Sequence, residues 1–257
     1  MTNSKKLIFG VAVIGLALFS SCSDDVVTPE PGTTSSNCVI KTMVDSDGTT
    51  TTFTFDGAKL TKLSEKDAEG TDDYIYSYTG EELTEIRLDD ETYKITYTGG
   101  KVSRVDLFDG ADLYTYYNIS LNGDGLPSTI DVYYPDGMGN DQYTKSLSYT
   151  YGNGNCTAMI VSIDTDDDGK LDYTYSYKFS SFDDNANPHY KLINFLVDYE
   201  NPLNFCKNNM LSGTIESGSD KTALTATYKY NSNNLPSQMV VSLGGSPTTI
   251  NYTYDCK

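Results

Sequence analysis

The chain has 257 residues, with 36 acidic and 18 basic side chains, a single histidine and no tryptophan. An acid excess of this size argues against nucleic acid and anionic membrane surfaces as partners, because both demand basic patches. Apolar residues make up 38% of the chain, and its 21 glycines bring it into the ordinary globular range, so a true core is expected rather than disorder.

Lys5 and Lys6 precede an apolar run from Leu7 to Phe19, followed by Ser20-Ser21-Cys22. The run is too short for a stable transmembrane helix. With its basic head and small residues before a cysteine, the segment 1–21 reads as an export signal. The Ser-Ser-Cys ending resembles a lipobox, although Phe19 stands where leucine is more usual. Cys22 is thus the candidate lipidation site and the first residue of a mature bacterial lipoprotein. Ser23-Asp24-Asp25 resembles the acidic tag that sends some Gram-negative lipoproteins to the cell surface. The expected location is therefore the outer membrane, surface-exposed, with a periplasm-facing orientation as the alternative. Residues 22–37, with Pro29, Pro31, Gly32 and a Thr/Ser run, read as a flexible tether. Loss of residues 1–21 leaves 16 basic against 36 acidic residues, a net charge of −20.

The remainder, 38–257, carries a repeat. Two aromatic or aliphatic residues stand at alternate positions, a small polar turn follows, and an aliphatic residue comes five places after the second. Another apolar residue follows three or four places on. Phe53 and Phe55 lead to Leu60 and Leu63; Tyr76 and Tyr78 lead to Leu83 and Ile86; Ile95 and Tyr97 lead to Val102 and Val105. Ile119 and Leu121 lead to Leu126 and Ile130, Tyr149 and Tyr151 to Cys156 and Ile160, and Tyr228 and Tyr230 to Leu235 and Met239. Alternation places one set of side chains on one face of a strand. Thr79-Gly80, Gly99-Gly100 and Gly152-Asn153 supply the positive φ of tight hairpin turns. Tyrosine stripes of this kind are expected in the core and in cross-strand packing; an array of surface rings that stack on sugars is the alternative. The count is fourteen to sixteen strands, the longest over Leu171–Phe179. So many sequential hairpins imply an all-β, antiparallel meander, curled into a barrel or half-barrel so as to remove its edges.

Asp164-Thr165-Asp166-Asp167-Asp168-Gly169-Lys170-Leu171-Asp172 has aspartates at loop positions 1, 3, 5 and 9 and glycine at 6, as a calcium loop begins. Asp164, Asp166, Asp168 and Asp172 are the candidate ligands, although Tyr175 occupies the position where a bidentate glutamate belongs. A solvated acidic turn is the alternative. Further on, the spacing around Tyr190–Val197 predicts a short helix near 190–199 that plugs or caps the sheet, or serves as a lid over a ligand site. Four cysteines follow Cys22, namely Cys38, Cys156, Cys206 and Cys256. An exported protein permits disulfides, and three pairings are open. No CxxC or other zinc spacing occurs.

The Tyr-x-Tyr hairpins, the stretch Phe182-Asp183-Asp184-x-x-Asn187-Pro188 and the lipoprotein-like start together resemble a family of bacterial lipoprotein domains of unknown function with a porin-like fold. More loosely, the hairpin units are similar to tyrosine–aspartate repeats of wall-associated and toxin-shell proteins. The resemblance covers about residues 38–257 and implies a large antiparallel β structure. It implies no established activity and transfers no catalytic residue. A spanning pore is not expected, because Asp-rich turns break the segments and a lipid anchor would be redundant on an inserted barrel.

Enzymatic signals are sparse. His189 is the only histidine, no Gly-x-Ser-x-Gly elbow occurs, and there is no phosphate-cradling glycine loop. A glycosidase needs only two carboxylates, which 36 acids make impossible to locate. The resulting expectation is a lipid-anchored, non-catalytic binding or scaffold module with a glycan or protein ligand. The alternative is a carbohydrate-binding or glycan-degradation accessory lipoprotein.

Overall fold

The computed structural model describes residues 38–135, 141–190 and 197–256. The signal at 1–21, Cys22 and the tether at 22–37 lie outside the described residues. Sixteen strands follow one another: β1 (Cys38–Asp45), β2 (Thr50–Asp56), β3 (Lys59–Lys66), β4 (Thr71–Thr79), β5 (Glu82–Leu88), β6 (Glu91–Thr98), β7 (Lys101–Asp109) and β8 (Asp112–Leu121). They continue as β9 (Pro127–Tyr134), β10 (Gln142–Gly152), β11 (Asn155–Ile163), β12 (Tyr173–Ala186), β13 (Asn208–Ser217), β14 (Asp220–Tyr230), β15 (Pro236–Leu243) and β16 (Ser246–Cys256). Each pairs antiparallel with its sequence neighbours, and β1 pairs with β16, so the meander closes into a barrel. The long strand anticipated over Leu171–Phe179 starts two residues later, at Tyr173, and runs to Ala186.

The repeat is a hairpin with a built-in bulge. Phe55 pairs with Leu60, Tyr78 with Leu83, Tyr97 with Val102 and Tyr151 with Cys156, each pair flanking a turn. In all four the register slips just before the second aromatic residue, so Phe53 faces Leu63, Tyr76 faces Ile86 and Ile95 faces Val105. Without the extra residue, Lys62 rather than Leu63 would oppose Phe53 and point inward. The bulge thus lets two apolar residues three places apart share one face. Leu60, Leu63, Leu83 and Ile86 are accordingly fully buried. The two remaining copies have longer turns, where Asn122 Oδ1 accepts the N–H groups of Asp124 and Leu126, and Asn231 Oδ1 those of Asn233 and Leu235. These Asx turns tuck Leu126 and Leu235 inward.

The bulges have a second consequence. Leu60 lies beyond the last β3 pair with β4, Lys62–Ile75, so its carbonyl has no partner in that ladder. The Tyr78 hydroxyl donates to it at 3.0 Å. The same contact recurs from Tyr97 to the Leu83 carbonyl (3.0 Å), Tyr151 to Pro127 (2.8 Å), Tyr228 to Met210 (3.0 Å) and Tyr254 to Pro236 (2.8 Å). A phenol brings a polar tip into an apolar interior, and burial of that tip costs free energy unless it is bonded. Here ring and carbonyl satisfy each other. Burial also pushes the phenols of Tyr78 and Tyr97 up to about 12.

The two faces of the wall differ. Inward residues form one apolar core that includes Phe53, Tyr76, Ile95, Tyr117, Ile130, Leu147, Val161, Met239 and Ile250. Outward residues include paired charges, Lys62 with Asp73 (2.7 Å), Arg104 with Asp106 (2.6 Å), and Lys178 and Lys221 with Glu216, beside a few exposed apolar residues such as Ile75 and Ile160. The outer face also carries a column in which the Arg104 guanidinium lies 3.6 Å from the Tyr116 ring centroid. Tyr116 stacks on Tyr133 (5.0 Å), and Tyr133 lies against Tyr143 (5.1 Å).

The described parts of the connection between β12 and β13, residues 187–190 and 197–207, enter the interior. Most of the helix expected near 190–199 falls on residues 191–196, outside the described residues. Its described flanks are turns, and a single 3₁₀ turn follows at Pro202–Phe205. The two ends of the connection are pinned together. Asn187 Nδ2 donates to the carbonyls of Leu203 and Cys206 (both 2.8 Å), and the Asn187 N–H donates to that of Lys207 (3.0 Å). From there it reaches across the lumen. The Tyr199 ring meets Tyr117 on β8 (4.9 Å), its carbonyl accepts from Tyr149 on β10 (2.6 Å), and His189 meets Tyr252 on β16 (3.2 Å). The motif Phe182-Asp183-Asp184-x-x-Asn187-Pro188 is thereby explained. Asp183 holds the Asn185 and Asn209 N–H groups and the Tyr230 hydroxyl where β12 leaves the sheet, and Asn187 ties the loop shut.

Tyr97→Phe removes the hydroxyl and orphans a half-buried carbonyl, so it should cost about 1–3 kcal/mol in urea unfolding with little change in m. An unchanged midpoint would mean that water replaces the phenol at no cost.

Candidate functional site

Antiparallel connectivity sorts the turns to two ends. Cys38, Cys256 and the turns of the repeat lie at one, the terminal end. The turn from β11 to β12, which is the acidic loop, lies at the far end together with the turns before β4, β6 and β8. This far end concentrates aspartates: Asp45, Asp67, Asp89, Asp90, Asp109 and Asp112 border the other turns.

Within the loop, Asp164, Asp166 and Asp168 each offer a carboxylate oxygen, and these oxygens lie within 4.8 Å of one another. Asp164 is buried and shapes the loop, accepting the N–H groups of Gly169 (2.8 Å) and Asp166 (3.3 Å). The bend needs positive φ at Asp167 (62°) and Gly169 (81°). Asp172, the fourth candidate, is not brought in. Its carboxylate turns to the N–H (2.9 Å) and hydroxyl (2.7 Å) of Thr165, which hold it below the usual carboxylate range. Tyr175 points into the lumen, with its hydroxyl 3.5 Å from Glu200. Three carboxylates therefore converge. The Asp168 charge raises the pKa of Asp166, while the Lys170 ammonium lowers that of Asp168. A hard cation would relieve the first effect and compete with the second.

The lumen beside this loop holds charge. Lys145 shares the inward face with Leu147 and Tyr149 and forms an ion pair with Glu200 (2.6 Å), while the register slip between Tyr143 and Lys145 turns Tyr143 outward against Tyr133. No periodicity in the sequence marks that pair. Glu65 faces the same end; burial raises its pKa first, and Asp72 adds to the effect. Nearby, Tyr114 (55% exposed) and Tyr134 (39%) meet edge to face at 5.5 Å, and Tyr173 is 44% exposed.

The other candidates separate. Cys38 and Cys256 are joined in a disulfide between the first and last strands, which selects that pair among the cysteines; Cys156 and Cys206 are free and buried. His189 is buried against Tyr252, and burial lowers its pKa to about 3. Among the described residues no serine or cysteine is its hydrogen-bond partner, so the arrangement lacks the nucleophile–base contact of a triad. At the terminal end a cavity of about 440 Å³ opens between the turns at Asp124–Leu126 and Tyr151–Gly154, with Tyr190 as a wall. Among its described lining residues Asp124 is the one carboxylate, where glycoside hydrolysis uses two.

No family model matches the chain, and no curated protein matches it. Solved structures do. A porin-like protein from Bacteroides uniformis ATCC 8492 superposes with a TM-score of 0.55 at 16% identity, covering 88% of this chain and 100% of that one. A porin-like protein from Bacteroides vulgatus ATCC 8482 gives 0.58 at 12% identity, covering 85% and 99%. At these identities the likeness is one of fold.

His189 is neutral in the folded barrel down to about pH 3 but titrates near 6.5 once unfolded. Its folded-state pKa is depressed, so its contribution to stability is complete above pH 6.5 and declines as pH falls toward 3. Relative to a His189→Gln variant, the wild type should lose urea resistance across that window. Parallel profiles for the two proteins would mean that His189 is solvated.

Proposed function

We propose that this chain is a lipid-anchored β-barrel module displayed at the outer membrane, a non-catalytic binding or scaffold protein rather than a channel. The observation that carries this reading is the polarity of the wall. Its interior holds one apolar core and the described ends of the β12–β13 connection, and its exterior carries Lys62, Lys94, Arg104 and Lys178 on mid-strand positions. A lipid-facing wall would have to bury each of these at about 2–4 kcal/mol. The porin-like neighbours fit a β-barrel protein but do not extend to this polarity argument. Anchoring through Cys22 is the sequence's contribution. A tether of residues 22–37 reaches about 50 Å when extended and meets the barrel at Cys38, so the far end faces away from the attachment.

The glycan reading is favoured by one specific observation, the exposed Tyr114–Tyr134 pair and Tyr173 at that outward end. Such rings offer apolar faces for sugar stacking beside abundant carboxylates. Against a polysaccharide panel, the wild type is expected to bind at least one member, and Tyr114→Ala/Tyr134→Ala to lose it. Silence across the panel would leave the scaffold reading alone.

The loop of Asp164, Asp166 and Asp168 is the cation-binding element of this proposal, with calcium as the ion. Three carboxylates without the bidentate glutamate place it in the weak extracellular class, on the order of 10⁻⁴–10⁻³ M. Calorimetry should give heat with millimolar calcium that Asp166→Ala abolishes. No heat from the wild type would reduce the loop to a solvated turn.

A further inference from the structure

The two free cysteines lie at the seam between the luminal connection and the wall. Where the connection rejoins the sheet, its backbone runs along the β10–β11 hairpin. Lys207 N–H donates to the Gly154 carbonyl (3.1 Å), and Asn208 N–H to Asn155 Oδ1 (2.8 Å). One step further, Cys206 Sγ lies 3.6 Å from the Cys156 carbonyl. That carbonyl belongs to the same repeat position whose counterparts at Leu60 and Leu83 accept a tyrosine hydroxyl. Both thiols are completely buried. The thiols now donate to carbonyls, Cys156 to Ala158 (3.3 Å) and Cys206 to Pro202 (3.4 Å), and because Cys38 and Cys256 are paired with each other, each has only the other as a disulfide partner within the described residues.

We propose that Cys156 and Cys206 form a second disulfide, which stitches the luminal connection to the barrel wall. The oxidant is a disulfide of the glutathione or dithiol-protein class. The Cys206 thiolate attacks it and displaces one thiolate. The Cys156 thiolate then attacks Cys206 Sγ in the mixed disulfide, forming the Sγ–Sγ bond and releasing the second thiolate. Two protons and two electrons leave the cysteine pair, and the oxidant's disulfide becomes two thiols. Burial raises both thiols in the closed barrel, Cys156 to about 12, so attack belongs to the stage before the hairpin closes over the connection.

The full chain carrying Cys22→Ser, which removes the fifth thiol, is refolded in a glutathione redox buffer. It is then alkylated in denaturant and digested without reduction. Peptide mapping should find Cys156 linked to Cys206 beside Cys38 linked to Cys256. A Cys206→Ser variant should carry one alkylated thiol, at Cys156, with the other bridge intact. Recovery of Cys156 and Cys206 both alkylated, while Cys38–Cys256 is linked, overturns the proposal, as does either of them bridged to a different cysteine. A second reading separates the timing: protein folded reduced and then given glutathione disulfide should lose the Cys38 and Cys256 thiols first. Equally fast loss at all four positions would show that the seam is open in the folded state and overturn the assigned order.

Discussion

The barrel depends on a compromise between the phenol ring and the β-ladder. A sixteen-strand wall built from short hairpins must bend sharply at every second turn, and each bend breaks the pairing with the next hairpin. The broken pairing leaves carbonyls at Leu60, Leu83 and Pro236 without ladder partners. Tyrosine fills apolar volume and still donates a hydrogen bond from its far tip. Phenylalanine at Phe55 and leucine at Leu121 occupy equivalent sites without a hydroxyl, so the repeat tolerates loss of the bond at some positions. Tyr78, Tyr97, Tyr151, Tyr228 and Tyr254 are accounted for by this geometry.

The same economy explains the lumen. A closed wall of this circumference leaves more space than inward side chains alone can fill. The described ends of the connection from β12 to β13 occupy part of that space, held by the Asn187 side chain on the Leu203 and Cys206 carbonyls and by the Tyr149 hydroxyl on the Tyr199 carbonyl. Gly213, opposite Phe179, marks how tightly β12 and β13 coil as the chain leaves the wall, since a Cβ there would sit 2.6 Å from the Lys178 carbonyl.

Much of this architecture can be read from the residues in advance. The five-residue offset from Tyr78 to Leu83 is a pairing distance across a tight turn, and the positions it selects are the buried ones. The order of hairpins and the strand count are legible for the same reason. Closure is not, because the pairing of β1 with β16 joins residues over two hundred positions apart and leaves no periodic trace. Alternation also fails wherever a bulge flips the face, as at Tyr143, which shares the parity of Leu147 and yet lies on the outer face against Tyr133. In the acidic loop, spacing predicts four converging aspartates and three converge. Thr165 captures Asp172 through local hydrogen bonds that outcompete a distant cluster.

The bond between Cys38 and Cys256 has a mechanical meaning. It joins the outermost residue pair of the β1–β16 seam, the point where any pull on the amino-terminal segment enters the fold. Without it, tension would peel the first strand from the last one hydrogen bond at a time, the weakest loading direction a β-ladder offers. With it, force passes through a covalent link into both margins of the wall at once, and the seam is loaded as a ring rather than as a zipper.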